Sequence, residues 1–178
     1  MYVGHVGAVL GAKRVHRGIG LGVLIVATYA PDLVDGGLCV AGISNPVEML
    51  SHSLPAVAVL ALVALASYGA GTRDWRAGGI IAAVVVSHML LDWITGYKPT
   101  WPGGPMIGLQ LYEHPIADFV AEAIVIAIGG TLYLRTLPSR KRAWVDLSII
   151  LGGLILLQAA IDIAHLMLKT MPKCPLAS

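Results

Sequence analysis

The chain has 178 residues, of which 57% are hydrophobic and only 12% charged, with a mean hydropathy of +0.79. A soluble domain carries about 25% charged residues, so this chain lacks the polar side chains to coat a water-facing globule. A single membrane-embedded domain over residues 1–178 follows. The net charge of +2 and its scattered basic residues exclude a nucleic-acid surface. Two cysteines, Cys39 and Cys174, have neither zinc-ribbon nor redox spacing and imply no disulfide scaffold. One Phe against 21 Gly points instead to close helix packing through small residues.

In chain order, residues 2–12 form an apolar segment too short to cross about 30 Å of hydrocarbon, and predict a half-helix packed on the bundle. No basic stretch precedes it, and Lys13, Arg14 and Arg17 follow it, so a cleaved signal peptide is not expected. Five longer runs then predict spans over 18–34, 54–70, 77–95, 115–134 and 145–168. Their apolar residues are continuous rather than alternating, which favours helices over strands. The fold class is therefore all-α: a polytopic membrane bundle of about five transmembrane helices and a short N-terminal half-helix. The segment 96–105, Gly-Tyr-Lys-Pro-Thr-Trp-Pro-Gly-Gly-Pro, is a loop of turn formers and interface aromatics.

If the spans alternate, Lys13, Arg14, Arg17, Arg73, Arg76, Arg135, Arg140, Lys141 and Arg142 share one side. Only Lys98, Lys169 and Lys173 lie on the other. Nine against three orients the first side to the cytoplasm of a multi-pass inner-membrane protein.

The same topology gathers most of the acids and histidines at the outer ends of the spans. Asp32 and Asp35 close the first span, and His52 precedes the second. His88 and Asp92 end the third, His114 and Asp118 begin the fourth, and Asp162 and His165 end the fifth. Charged groups in or beside lipid mark a functional site or an internal pair. His88–Asp92 and His114–Asp118 are both spaced i, i+4, which on a helix places each pair on one face, able to hold one cation. Imidazole with carboxylate suits zinc and related ions. A hydrogen-bonded structural pair is the competing reading for either pair alone. For His5 packing competes equally with ligation, and Asp162 with His165, spaced i, i+3, reads first as a local pair and second as ligands. Glu122, one turn beyond Asp118, requires a partner if buried.

His5, Pro31-Asp32-Leu33-Val34-Asp35, Ser51-His52-Ser53-Leu54 and Ser87-His88-Met89-Leu90-Leu91-Asp92-Trp93-Ile94-Thr95-Gly96, then Trp101-Pro102, resemble the YdjM/YbcI-type membrane-bound metal-dependent hydrolases. The likeness runs over residues 1–120, and His88 to Pro102 is its most specific part. That family is similar in its order of ligands to the all-helical zinc-dependent phospholipase C and P1-type nuclease group. The resemblance implies metal ligands at His5, Asp32, His52, His88, Asp92, His114 and Asp118, with Asp92 bridging two ions. It also implies a cofactor of one or two divalent ions, most simply Zn2+. Two features depart from the pattern. Pro46-Val47-Glu48-Met49-Leu50 stands where family members often carry His-Arg-Gly, and no His lies between His88 and His114. His165 is a possible extra ligand in place of the latter.

The expected function is a membrane-embedded, metal-dependent hydrolase at the outer face, acting on a phosphate ester such as a lipid headgroup. Asp32 is the candidate to orient or deprotonate water, with Asp35 second. Thr95 and Trp101 are expected to border the substrate, although an interfacial anchor equally explains the Trp101 loop. The alternative is a metal- or proton-coupled transporter, against which stand the absence of a visible inverted repeat and the unpopulated cytoplasmic halves of the spans.

Overall fold

The computed structural model describes residues 3–43, 49–137 and 140–168. Within them lie seven α-helices, α1 (Gly4–Val15), α2 (Leu21–Thr28), α3 (Ala30–Val40), α4 (Leu54–Thr72), α5 (Trp75–Thr95), α6 (Pro115–Leu134) and α7 (Arg140–Leu168). A two-stranded antiparallel hairpin, β1 (Lys98–Pro99) with β2 (Met106–Ile107), follows α5. Four helical stretches are long and apolar enough to cross a membrane, and the bent pair α2–α3 makes a fifth. The chain is thus an all-α membrane bundle.

The first span departs from the continuous helix expected over 18–34. It breaks at Tyr29, where α2 and α3 meet at 60°. Pro31 near the start of α3 has no N–H to give to a carbonyl one turn back, and its ring crowds that carbonyl. The bend turns α3, and with it Asp32 and Asp35, away from the axis of α2.

The half-helix α1 runs over Gly4–Val15 and packs against α2, α5 and α6, while α4 lies along α5 and α7 along α6. Its approach to α6 is so close that glycine is required on both sides. A Cβ on Gly7 would collide with the Val125 carbonyl, and one on Gly129 with the Gly7 carbonyl. The main core joins Val9, Leu24, Val57, Ile81, Val85 and Met89 from α1, α2, α4 and α5. Large apolar residues such as Val59, Leu62, Ile124 and Leu156 remain exposed, as lipid-facing positions should.

Cross-links at one end of the bundle support the sidedness. His16, just after α1, pairs with Asp74 at 3.1 Å, and Asp74 caps α5 by accepting from the Ala77 N–H at 2.9 Å. Arg17 donates to the Arg135 carbonyl beyond α6 at 3.1 Å. Three of the basic segments therefore meet at one end, the cytoplasmic one by charge. The histidine–carboxylate residues meet at the other.

Candidate metal centre

Five side chains from four parts of the chain converge at the end of the bundle away from the basic segments. His5 comes from the first turn of α1, and Asp32 from the first turn of α3. His52 comes from a 3-10 turn (Leu50–His52) that leads into α4, while His88 and Asp92 come from the last two turns of α5. Because His88 and Asp92 lie within one helix, the i, i+4 rule brings them together, with His88 Nε2 3.4 Å from Asp92 Oδ2.

Four ligand atoms draw around one point. His52 Nε2 lies 3.1 Å from His88 Nε2, 3.2 Å from Asp32 Oδ1 and 3.4 Å from Asp92 Oδ2. His88 Nε2 lies 3.7 Å from Asp32 Oδ1. Ligand atoms about 2.0–2.2 Å from a tetrahedral zinc ion are separated by about 3.3–3.6 Å. The five separations are close to that spacing, and Asp32, His52 and His88 form a grouping able to hold a metal. Asp92 Oδ1 turns the other way, to 3.5 Å from His5 Nε2, and His5, His88 and Asp92 form a second grouping able to hold a metal. A carboxylate facing two imidazole sets with its two oxygens is arranged as a bridge.

Burial separates the ligands into two kinds. His5, His52, His88 and Asp92 are at most 3% exposed, whereas the Asp32 side chain is 46% exposed and forms the open edge. Both ring nitrogens of His5 and Nδ1 of His88 are buried without a hydrogen bond. Buried polar atoms of this kind are rare, and an ion held by His5 Nε2 would satisfy that one of the three. Burial and the adjacent His88 ring pull the His5 imidazole down to about 3, leaving it neutral and free to ligate. Burial also opposes charge on His52, but the Asp32, Asp35 and Asp92 carboxylates outweigh it and push this group up to about 10.

Asp35 stands behind His52 rather than in the cluster. Its Oδ2 accepts from His52 Nδ1 at 2.8 Å and its Oδ1 from the Ser51 N–H at 2.9 Å. That fixes the tautomer that leaves Nε2 available to a metal. Lys98, which sequence reasoning treated only as an outward loop charge, reaches back from β1 to place Nζ 3.0 Å from Asp92 Oδ2.

Other expected residues are not brought to the cluster. His114 is exposed and is the residue before α6, with non-helical φ −125° and ψ 76°, so the i, i+4 rule does not join it to Asp118. Asp118 is buried on the same helix face as Glu122. Glu122 finds the partner its burial demanded, since its Oε2 accepts from the Gly4 N–H at 2.6 Å. Gln158 of α7 accepts from the Val3 N–H at 3.0 Å and donates to Asp162 at 2.7 Å. These contacts hold the start of α1, and so His5, in place. The His165 side chain lies outside the described residues. Thr95 is completely buried, with its hydroxyl turned to the Leu91 carbonyl at 3.4 Å, and does not border an open site. Trp101 is exposed at the tip of the hairpin. Cys39 is disulfide-bonded, a pairing that the spacing of the two cysteines left open; Cys174 lies outside the described residues.

Comparison with curated proteins and with solved structures returned no match to either. A family model described as YdjM inner membrane protein matches residues 1–166. With nearly the whole chain covered and a bundle of membrane-length helices to match, this protein belongs to the YdjM inner membrane protein family.

Proposed function

We propose that the protein is a metal-dependent hydrolase of phosphate esters working at the outer face of the inner membrane. One observation carries this reading: the ligand atoms of His52, His88, Asp32 and Asp92 stand 3.1–3.7 Å apart in the five separations given above. Three of those residues are buried and one is exposed, the pattern of a catalytic site with three firm ligands and an open position. Residues of the phospholipase C-like ligand order that fit are His5, Asp32, His52, His88 and Asp92; His114 does not fit.

A divalent ion bound there supplies Lewis acidity, lowering the pKa of water toward about 7 and neutralising phosphoryl charge. His52, His88 and Asp92 would hold it, and Asp35 keeps His52 oriented through Nδ1. Asp32, at the open edge and 3.2 Å from His52 Nε2, is placed to accept a proton from water at the mouth of the site. A lipid substrate is favoured by an open apolar groove of about 380 Å3, lined by Val34, Leu38, Leu50, Ser51, Pro55 and Val59 among others. Leu50 and Ser51 immediately precede His52, so an acyl chain lying between α3 and α4 would end beside the cluster.

The test is hydrolysis of a panel of phospholipids and soluble phosphate esters by zinc-reconstituted protein in detergent, with Asp32→Asn alongside. Activity that chelation abolishes and Asp32→Asn depresses by about 100-fold or more supports the reading. A zinc-loaded protein inactive on the whole panel counts against it.

A further inference from the structure

We propose that Lys98 is the anion-recognition residue of the site, its ammonium binding a phosphomonoester oxygen of the ligand beside the metal. The proposal rests on the metal-dependent reading above and adds the charge of the group that the site accepts.

The fold commits Lys98 to this position. β1 and β2 pair Lys98 with Ile107 and Pro99 with Met106. The Thr100 N–H and hydroxyl both donate to the Pro105 carbonyl, at 3.0 and 2.9 Å, and the Thr100 carbonyl accepts from the Leu54 N–H at 3.1 Å. The Leu109 N–H donates to the Trp93 carbonyl at 2.8 Å, drawing the returning strand onto the end of α5. Gly108, at φ +146°, lies against the Gly96 carbonyl, where no Cβ fits. The hairpin is thus tied both to α4 and to α5.

From this base Lys98 turns inward, against the habit of lysines near a membrane surface, which extend the charged head to water. Its side chain is only 14% exposed. Nζ lies 3.0 Å from Asp92 Oδ2, the same oxygen that faces His52 and His88. An ammonium has three donors, and one carboxylate oxygen takes one of them. Charge then decides what the others serve. The carboxylates of Asp32, Asp35 and Asp92 together with a divalent ion leave one negative charge, which repels an anion. Lys98 offsets that charge from among the described side chains. Among the described residues it is the one Lys or Arg at this end, since the other described basic residues lie in the terminal turns at the opposite helix ends or just beyond them. A lysine beside a metal is a point-charge binder of phosphate oxygens.

The chemistry fits a phosphomonoester, whether a lipid headgroup or free phosphate. The experiment uses full-length protein in dodecyl maltoside, zinc-reconstituted, with zinc content measured on each preparation. Titration calorimetry follows inorganic phosphate in one arm and short-chain phosphatidic acid in the other, for wild type, Lys98→Met and Lys98→Arg. The expected result is binding about 10- to 100-fold weaker in Lys98→Met at unchanged zinc content, with Lys98→Arg largely retaining it. Tighter binding of phosphatidic acid supports the proposal with a lipid source, and equal binding supports it with free phosphate. Unchanged phosphate affinity in zinc-loaded Lys98→Met overturns the assignment while leaving the metal reading intact. Loss of zinc in Lys98→Met makes the lysine a structural partner of Asp92 and also overturns it, as does zinc-loaded wild type that binds neither probe. Wild type that holds no zinc removes both.

Discussion

His52 and His88 present their Nε2 atoms to each other across 3.1 Å, with carboxylate oxygens of Asp32 and Asp92 around the same point. Two neutral imidazoles meet this way only if one donates its proton, yet the His52 proton is already on Nδ1, engaged by Asp35. The gap is filled by the proton of His88 on its Nε2, by a second proton on His52, or by a cation. The surrounding carboxylates draw the last two, so in the metal-free protein His52 holds a proton that a metal displaces.

Asp35→Asn tests how His52 is oriented. The amide occupies the same volume but is a poorer acceptor for the Nδ1 proton, and loss of such an outer contact costs about 10- to 100-fold in metal affinity. Zinc competition with a chromophoric chelator should show that drop with helicity by circular dichroism unchanged. Unaltered affinity removes Asp35 from the site.

The pH dependence of the chelator-treated protein follows from His52. Its folded value of about 10 lies above the ordinary 6.5, so this group stabilises the fold fully below pH 6.5, and the contribution is lost as pH rises through 10. Thermal melts in detergent should therefore fall between pH 6.5 and 10 for the metal-free protein. Zinc should flatten the decline by replacing the proton. A metal-free melting temperature that rises over this window contradicts the assignment.

Gly129→Ala tests the docking of α1. The new Cβ meets the Gly7 carbonyl, so α1 must move away from α6 and take His5 with it. Overpacking of this kind costs about 1–3 kcal/mol. Melting temperature should drop measurably, and zinc retention should fall with it. Gly152→Ala, on α7 with open space around the site of substitution, is the matched control and should change neither.

Sidedness is tested with single cysteines introduced at Trp101 and Trp75, both exposed and at opposite ends of the bundle. In a background with Cys39 and Cys174 replaced by Ser, an impermeant thiol reagent on spheroplasts should label Trp101→Cys, and Trp75→Cys only after lysis. In the native sequence Cys39 should react only after reduction. The reverse pattern would turn the site to the cytoplasm.

Long apolar runs made the later spans legible, because hydropathy over about 20 residues reflects a solvent constraint rather than a packing detail. The His88–Asp92 pair was legible for a similar reason, since both residues lie inside one regular helix. Spacing failed for His114–Asp118 because His114 stands outside the helix it precedes. The bend at Tyr29, the reach of Lys98 and the bond from Glu122 to the Gly4 N–H are tertiary. Pro31 and the turn formers of 96–105 marked where the chain would change direction, but not which way. The glycine surplus signalled close packing without naming the Gly7–Gly129 crossing.

Elemental analysis of detergent-purified wild type and Asp92→Asn, after zinc reconstitution at neutral pH and with melting temperatures recorded, tests the central claim most directly. Asp92 touches both histidine sets, so the wild type should hold about one or two zinc ions per chain and Asp92→Asn sharply fewer, with the fold retained. A wild type without metal would contradict the account. So would an Asp92→Asn protein whose melting temperature falls while its metal content is unchanged, the behaviour of a buried histidine–carboxylate pair.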